Sequence, residues 1–477
     1  MPPRRSRLRL RVFWLTFALY FATVAARKGV SVAKSSLLAG GVVRDSHALA
    51  AVDTAFLATY TVGSFVSAVV ADRVGDRQLL ALAAGGSALS GLAGAYLTPD
   101  ANGVLQLSLF WGGVGLFQGF LFPLCFKVLS QWFSDGALAS VAGAWSVSGY
   151  AGGAAGNVLL SSYLRHHGWR SCLSVPAWLV LVAAAATWLL VPEAPLRNGA
   201  ERSAAAGGGA SSPSKRLRGG ASGTSMAGRL LATMRLPYVS QVASAYFLFK
   251  LVRYSLLFWL PFFLHRLAGL DTSHASKVAA FFEWGSVLGC AASGVIVDKL
   301  ARGRRFVVVM PMLALTAAAL GALAVWAAAA EGQIAADGAL GRLGAMLGAP
   351  WASWLLLLTL GFNMAGPDTM LCGTIPRDLA RGGDVAAVVG VVDGIGAIGS
   401  VLQGVVTSGV AHAYGWSVLY ALLGALICGA LALLLPAMAA EEVHAHKVKA
   451  KSSSGNLVNV ESSESSMPGA RAVAIAV

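Results

Sequence analysis

Twelve apolar runs divide this chain, roughly at 10–29, 52–71, 79–97, 103–125, 138–160, 172–191, 239–264, 277–298, 305–327, 351–372, 385–409 and 416–436. A helix of about 20 apolar residues spans the hydrocarbon core of a bilayer. Only structures that satisfy their own backbone can cross it. The repeated run length therefore predicts an all-α membrane protein with twelve transmembrane helices. Composition removes the alternatives. Of 477 residues, 56% are hydrophobic and 12% charged, against about 25% charged in soluble domains. That little charge does not cover a globule of this length, which excludes soluble enzymes, disordered chains and secreted disulfide scaffolds.

The organisation follows from what separates the runs. Residues 1–9 form a basic N-terminal tail, and 10–191 hold six runs. Residues 192–238 contain a polar Gly/Ser/Ala-rich stretch that reads as a flexible linker. Residues 239–436 hold the other six runs, and 437–477 read as a disordered polar tail. The Arg-rich start, the turn at 72–77, the linker, the turn at 298–305 and the Lys447–Lys451 segment fall on one side of a twelve-span count. The positive-inside rule makes that side cytoplasmic and puts both termini there. Lys34, Arg44, Arg165 and Arg170 are then exceptions on the opposite side. The net charge of +15 is accordingly a membrane-orientation signal, and no aromatic-interleaved basic patch points to nucleic acid. Arg27 and Lys28 close the first run where a signal peptide would need a small-residue cleavage site, so that run is a retained helix. The five cysteines stand singly in apolar segments, the eight histidines show no metal spacing, and no nucleophile–base set is present. The chain implies neither an enzyme nor a cofactor.

The two sets of six repeat each other. The second run ends in Asp72-Arg73-Val-Gly-Asp-Arg77 and the eighth in Asp298-Lys299-Leu-Ala-Arg302. A carboxylate followed by bases at a helix end suits a conformational latch, since it binds basic groups and helix N-termini. Plain positive-inside charge explains the bases but not the matched Asp. Parallel repeats of this kind place a substrate site at mid-depth between the halves.

Ionisable residues inside spans are expensive and mark pathways. Arg27 and Lys28 end the first span, and Lys250 and Arg253 share a face of the seventh. Lys127 lies near the end of the fourth, Glu283 inside the eighth and Asp393 inside the eleventh. Arg27 and Arg253 occupy equivalent helices. Two guanidiniums facing one cavity repel until an anion joins them, and the planar fork of Arg suits phosphate oxygens. A dianionic phosphate monoester is the natural ligand and a carboxylate the lesser one. Glu283 and Asp393 are candidate charge partners or coupling groups. Snorkelling to the interface is the plain alternative for Arg27, Lys28 and Lys127.

These residues carry a resemblance. Tyr20-x6-Arg27-Lys28, Phe117-Gln118-Gly119, Phe122-Pro123-x-Cys125-x-Lys127, Trp132-Phe133, Trp145-Ser146, Arg253-Tyr254-x4-Trp259-x-Pro261, Glu283, Gly361-Phe362-x3-Gly366-Pro367-x2-Met370-Leu371 and Val392-Asp393-Gly394 resemble the organophosphate:phosphate antiporters of the major facilitator superfamily, over nearly all of 10–436. The resemblance implies two pseudo-symmetric six-helix halves. It implies exchange of inorganic phosphate for a phosphorylated small molecule, such as glycerol-3-phosphate or a hexose phosphate like glucose-6-phosphate, by alternating access and as a monomer. It maps the family's phosphate-binding arginines onto Arg27 and Arg253 and its first-helix tyrosine onto Tyr20. Lys28 and Trp259 also match family positions, and Tyr150 and Tyr254 complete the candidate binding set. Three positions depart from the bacterial glycerol-phosphate pattern: Gly149 beside Tyr150 replaces a His, Ser64 a Lys, and Lys250 a Tyr. A proton-coupled organic-anion symporter of the same fold and a non-transporting phosphate-ester sensor are the competing expectations. The lipid bilayer is the surrounding partner, and the sequence leaves the choice between plasma and organelle membranes open.

Overall fold

The computed structural model describes residues 3–70, 74–133, 135–192, 232–267, 269–301, 304–380 and 385–464. Twelve long helices dominate them, and among the described residues there is no strand. They are α1 (Pro3–Ala39), α2 (Ser46–Val70), α3 (Asp76–Leu97), α4 (Val104–Trp132), α5 (Asp135–His167) and α6 (Trp169–Leu190), then α7 (Val239–Leu267), α8 (Thr272–Val295), α9 (Phe306–Ala330), α10 (Pro350–Thr369), α11 (Val385–Tyr414) and α12 (Trp416–Glu464). Eleven are long and apolar enough to cross a membrane. The remaining one, α5, is as long but rich in Gly and Ser. Its Gly152 and Gly156 lie on α1 and its Gly153 against Glu283 of α8, so its middle faces protein on both sides.

Boundaries differ from the sequence reading at several helices. Helix α1 continues ten residues beyond position 29. Lys34, expected in a loop, lies within it and is fully buried; its partner Asp53 replaces the water that a loop would have supplied. Helix α8 runs into a π turn at Ile296–Leu300. Helix α10 runs through a π turn at Met370–Thr374 into the short helix Ile375–Leu379. Helix α12 runs on to Glu464, past position 437 where the tail is expected to begin. The linker at 196–230 lies outside the described residues.

Polar contacts define the two ends of the bundle. At the end where α1 begins, Asp76 at the start of α3 takes Lys127 at 2.9 Å and Gln131 at 2.5 Å from α4. There Glu441 of α12 also accepts the backbone N–H groups of Arg305 and Phe306 at 2.9 and 3.1 Å, and Arg305 pairs with Asp378. These acceptors satisfy the free donors at the start of α9. At the far end, Glu331 does the same for α12 by accepting from Trp416 N–H at 2.7 Å. Arg170 ties α6 to Thr98 O and Asp100, each at 2.9 Å.

The two halves are built alike, down to single contacts. A methyl group on Gly115 of α4 would overlap Phe56 O of α2. The same substitution on Gly361 of α10 would overlap Phe282 O of α8. Small residues of this kind let helix backbones approach closely in a membrane. Arg27 and Arg253, Tyr20 and Tyr246, and Phe56 and Phe282 are separated by one common offset in the chain. One apolar cluster is drawn from α1–α6 alone and another from helices after 238 alone. A third joins Val30, Ala33 and Phe56 to Phe258, Trp259 and Phe262 across the two halves.

Candidate functional site

A cavity of about 240 Å³ lies between the halves. Arg27 and Lys28 enter it from the middle of α1, Arg253 and Tyr254 from the middle of α7, and Glu283 from α8. The chain can carry these charges inside an apolar bundle because each has a partner, as buried charges require. Lys28 pairs with Glu283 across the halves, both 3% exposed, and donates to Leu257 O at 3.3 Å. Arg27 donates through Nε to Gln118 Oε1 at 3.2 Å, and its guanidinium lies 5.0 Å from the Tyr60 ring. Gln118 in turn donates to Ser87 Oγ at 3.3 Å. Arg253 lies 5.3 Å from the Tyr150 ring and pairs through Nε with Asp368 at 3.2 Å. Lys250 is one turn nearer the α1-start end, pairs with Asp393 at 2.8 Å and does not line the cavity.

Each arginine keeps one nitrogen, Arg27 Nη2 and Arg253 Nη1, buried without a hydrogen-bond partner. An unsatisfied buried cationic donor is costly. These two belong to different halves and line one cavity. The remaining wall supplies aromatic surface. Tyr20 stacks on Trp145 with ring centroids 4.8 Å apart and contacts Phe122 at 5.8 Å. Gly149, where the glycerol-phosphate pattern has His, leaves room for the Tyr20 ring. Ser64, where that pattern has Lys, is a helix clasp: it donates to Gly119 O at 3.1 Å.

Arg27, Lys28, Arg253, Tyr20, Tyr150, Tyr254 and Glu283 therefore meet at one cavity. Three residues expected with them lie apart: Lys250, which pairs with Asp393 outside the cavity, Trp259 and Lys127. Trp259 faces the far end, with its ring 3.6 Å from Lys34 Nζ. Lys127 is at the α1-start end with Asp76, because the fourth helix continues the chain away from the cavity after Phe122. Of the expected latch, Asp72, Arg73 and Arg302 and the side chain of Asp298 lie outside the described residues. Lys299 is exposed in the π turn of α8, and Arg77 packs 5.5 Å from the Trp188 ring.

Asp368 is the residue the sequence reading passed over. It lies inside the 351–372 run, in the unspecified part of Gly366-Pro367-x2-Met370, and the rule that singles out Glu283 and Asp393 singles it out equally. Tyr246 donates to its Oδ1 at 3.2 Å and Tyr150 to its Oδ2 at 3.5 Å. The sequence reading offers Glu283 and Asp393 as the charge partners; at Arg253 that place is taken by Asp368. A second buried pair was also missed. Lys34 and Asp53 are 2.5 Å apart and fully buried. Trp259 and Gln403 from the other half reach toward the same carboxylate.

Cross-half contacts gather at the far end. Ser31 donates to Phe258 O at 2.9 Å, Arg165 meets Asp271 at 3.1 Å, and the His47 and His412 rings are 5.4 Å apart.

The model of the Major Facilitator Superfamily matches residues 16–367. A putative glycerol-3-phosphate transporter 2 of Arabidopsis thaliana is 28% identical over 91% of this chain and 87% of its own length. Sugar phosphate exchanger 3 of Bos taurus is 28% identical over 77% and 75%. The membrane sensor protein UhpC of Salmonella typhimurium is 26% identical over 89% and 90%. Among solved structures, the nucleoside transporter NupG superposes with a TM-score of 0.64 at 14% identity, covering 90% of this chain and 99% of that one. At that identity the likeness shows the fold.

Proposed function

The chain belongs to the Major Facilitator Superfamily and is a multi-pass membrane carrier rather than an enzyme; from that premise we propose that it exchanges inorganic phosphate for a phosphorylated small molecule by alternating access. The observation that carries this reading is the pair of buried guanidiniums, Arg27 and Arg253, one from each half, that line a common cavity and each keep one nitrogen without a hydrogen-bond partner. A phosphoryl group carries up to two negative charges and three terminal oxygens, which suits two guanidiniums better than the single charge of a carboxylate. Engaging both draws the halves together around the ligand. That supplies the differential binding by which a ligand biases a conformational equilibrium. The aromatic corner of Tyr20, Trp145 and Phe122 suits the less polar part of an organophosphate. The names of two relatives, a glycerol-3-phosphate transporter and a sugar phosphate exchanger, agree with this class. Glycerol-3-phosphate and hexose phosphates are the first candidates.

With the α1-start side cytoplasmic, as the basic segments suggest, the contacts at Ser31, Lys34 and Arg165 close the opposite face and the cavity serves the cytoplasm. Proteoliposomes loaded with radiolabelled phosphate test the reading. External glycerol-3-phosphate or glucose-6-phosphate accelerates release of label, and Arg27→Ala or Arg253→Ala abolishes it. Release indifferent to every phosphate ester tried, and to both substitutions, refutes it. A second reading follows from the likeness to a membrane sensor: such a protein binds phosphate esters in the same assay without carrying label.

A further inference from the structure

The charges at the cavity are not arranged as repulsion alone would have them. Arg27, Lys28 and Arg253 face two carboxylates, Glu283 and Asp368, and the neighbouring Lys250–Asp393 pair adds no net charge. The site carries one net positive charge. Asp368 is held as a bound anion would be: Arg253 Nε at 3.2 Å, Tyr246 Oη at 3.2 Å and Tyr150 Oη at 3.5 Å. The repeat shows what is peculiar about it. The offset that relates Gly115 to Gly361 relates Phe122 to Asp368. Where the N-terminal half places Phe122 against Tyr20, the C-terminal half places a carboxylate against Tyr246. Arg27 accordingly has a neutral amide, Gln118, as its hydrogen-bond partner, and Arg253 has a carboxylate.

From this asymmetry we infer that Asp368 is a tethered counter-anion that stands in for the phosphoryl group on Arg253, so that the protein performs net phosphate transport in addition to exchange. The inference rests on the phosphate reading above and extends it. The electrostatic cost of enclosing a charge between closing halves grows with the square of that charge. A carrier turning without substrate encloses one positive charge, and a carrier holding a phosphate dianion encloses one negative charge. The two crossings face similar electrostatic barriers, so the return without substrate is permitted. Without the Asp368 charge, the unloaded crossing encloses two positive charges and the loaded crossing none. The unloaded return then stalls and only exchange remains. Two negative charges leave per net cycle, so net transport is electrogenic.

The test uses proteoliposomes containing the full-length protein, loaded with radiolabelled phosphate, with valinomycin and potassium clamping the potential. Efflux into phosphate-free medium is compared with efflux into medium containing phosphate. The wild type releases label in both, with the two rates within about 10-fold, a barrier difference of ~1.4 kcal/mol or less. Asp368→Asn lowers the ratio of net efflux to exchange by more than about 10-fold and tightens phosphate binding, because a competing anion is gone. Glu283→Gln shifts the ratio in the same direction and supplies the comparison if the first variant does not fold. Exchange without net efflux in the wild type overturns the inference and leaves the exchanger reading standing. So does an unchanged ratio in both variants. Weaker phosphate binding in Asp368→Asn also overturns it, since that is the signature of a carboxylate that merely positions Arg253. Absence of phosphate flux in either medium takes down both readings.

Discussion

A single guanidinium illustrates how this chain turns an expensive side chain into a recognition element. Arg253 is buried, is held through Nε, and keeps Nη1 without a partner. Lysine retains the charge but not the fork. Arg253→Lys and Arg27→Lys should each weaken phosphate binding by about 10- to 100-fold, the loss of one charge-assisted hydrogen bond of ~1.5–3 kcal/mol. Equilibrium binding of labelled phosphate to the purified carrier checks this. At this scale the sequence was informative wherever an ionisable residue interrupts an apolar run. Arg27, Lys28, Arg253 and Glu283 are all recognisable that way, and they do meet. What the one-dimensional pattern does not contain is the partner. Nothing in the run around Lys250 tells that Asp393 takes it, or that Asp368 takes Arg253. Trp259 matches a family position less than two turns beyond Arg253, yet the helix carries it to another depth, where it meets Lys34.

At the scale of helices, two kinds of contact fix the bundle. The first is steric. Gly115 and Gly361 sit at equivalent crossings, α2 on α4 and α8 on α10. Gly115→Leu and Gly361→Leu should each destabilise the folded protein by at least the ~1–3 kcal/mol typical of overpacking, read as a lower Tm and an earlier-eluting, aggregated fraction in detergent. The second is ionic. Lys34 of α1 and Asp53 of α2 form a fully buried pair beneath Trp259. Removing one partner leaves an uncompensated charge, at about 3–5 kcal/mol. Asp53→Asn should therefore lower Tm, and the uncharged double substitution Lys34→Met with Asp53→Leu should recover most of the loss. A double substitution no better than the single one contradicts the account. Helix positions themselves were readable from hydropathy, because lipid demands continuous apolar runs. The stretch from Ser31 to Ala39 was not, because protein rather than lipid surrounds it there and polar residues pair internally. The same applies to α5, whose glycines serve α1 and α8.

For the whole molecule, the relevant variable is which end of the interface is shut. Arg165 and Asp271 meet across the halves at the far end, 3.1 Å apart and on the surface. Cysteines at both positions, joined by a short thiol cross-linker, should hold this arrangement and stop exchange, and cleavage of the linker should restore it. Undiminished exchange in the linked protein removes those contacts from the transport cycle. The pairing of six helices with six was readable from the repeated runs and the matched helix ends. The unequal chemistry of the two halves was not, because a repeat draws attention to what is shared. That inequality extends to the backbone. Among the described residues, both π turns, Ile296–Leu300 and Met370–Thr374, belong to the second half. A π turn holds one surplus residue relative to regular winding, and passing it along rotates everything beyond by roughly 100°. One half thus has slack in its coils immediately beyond Asp368. The two lobes are then not twins in build: among the described residues, only the second carries such a joint, and one of its two lies just past its acid group.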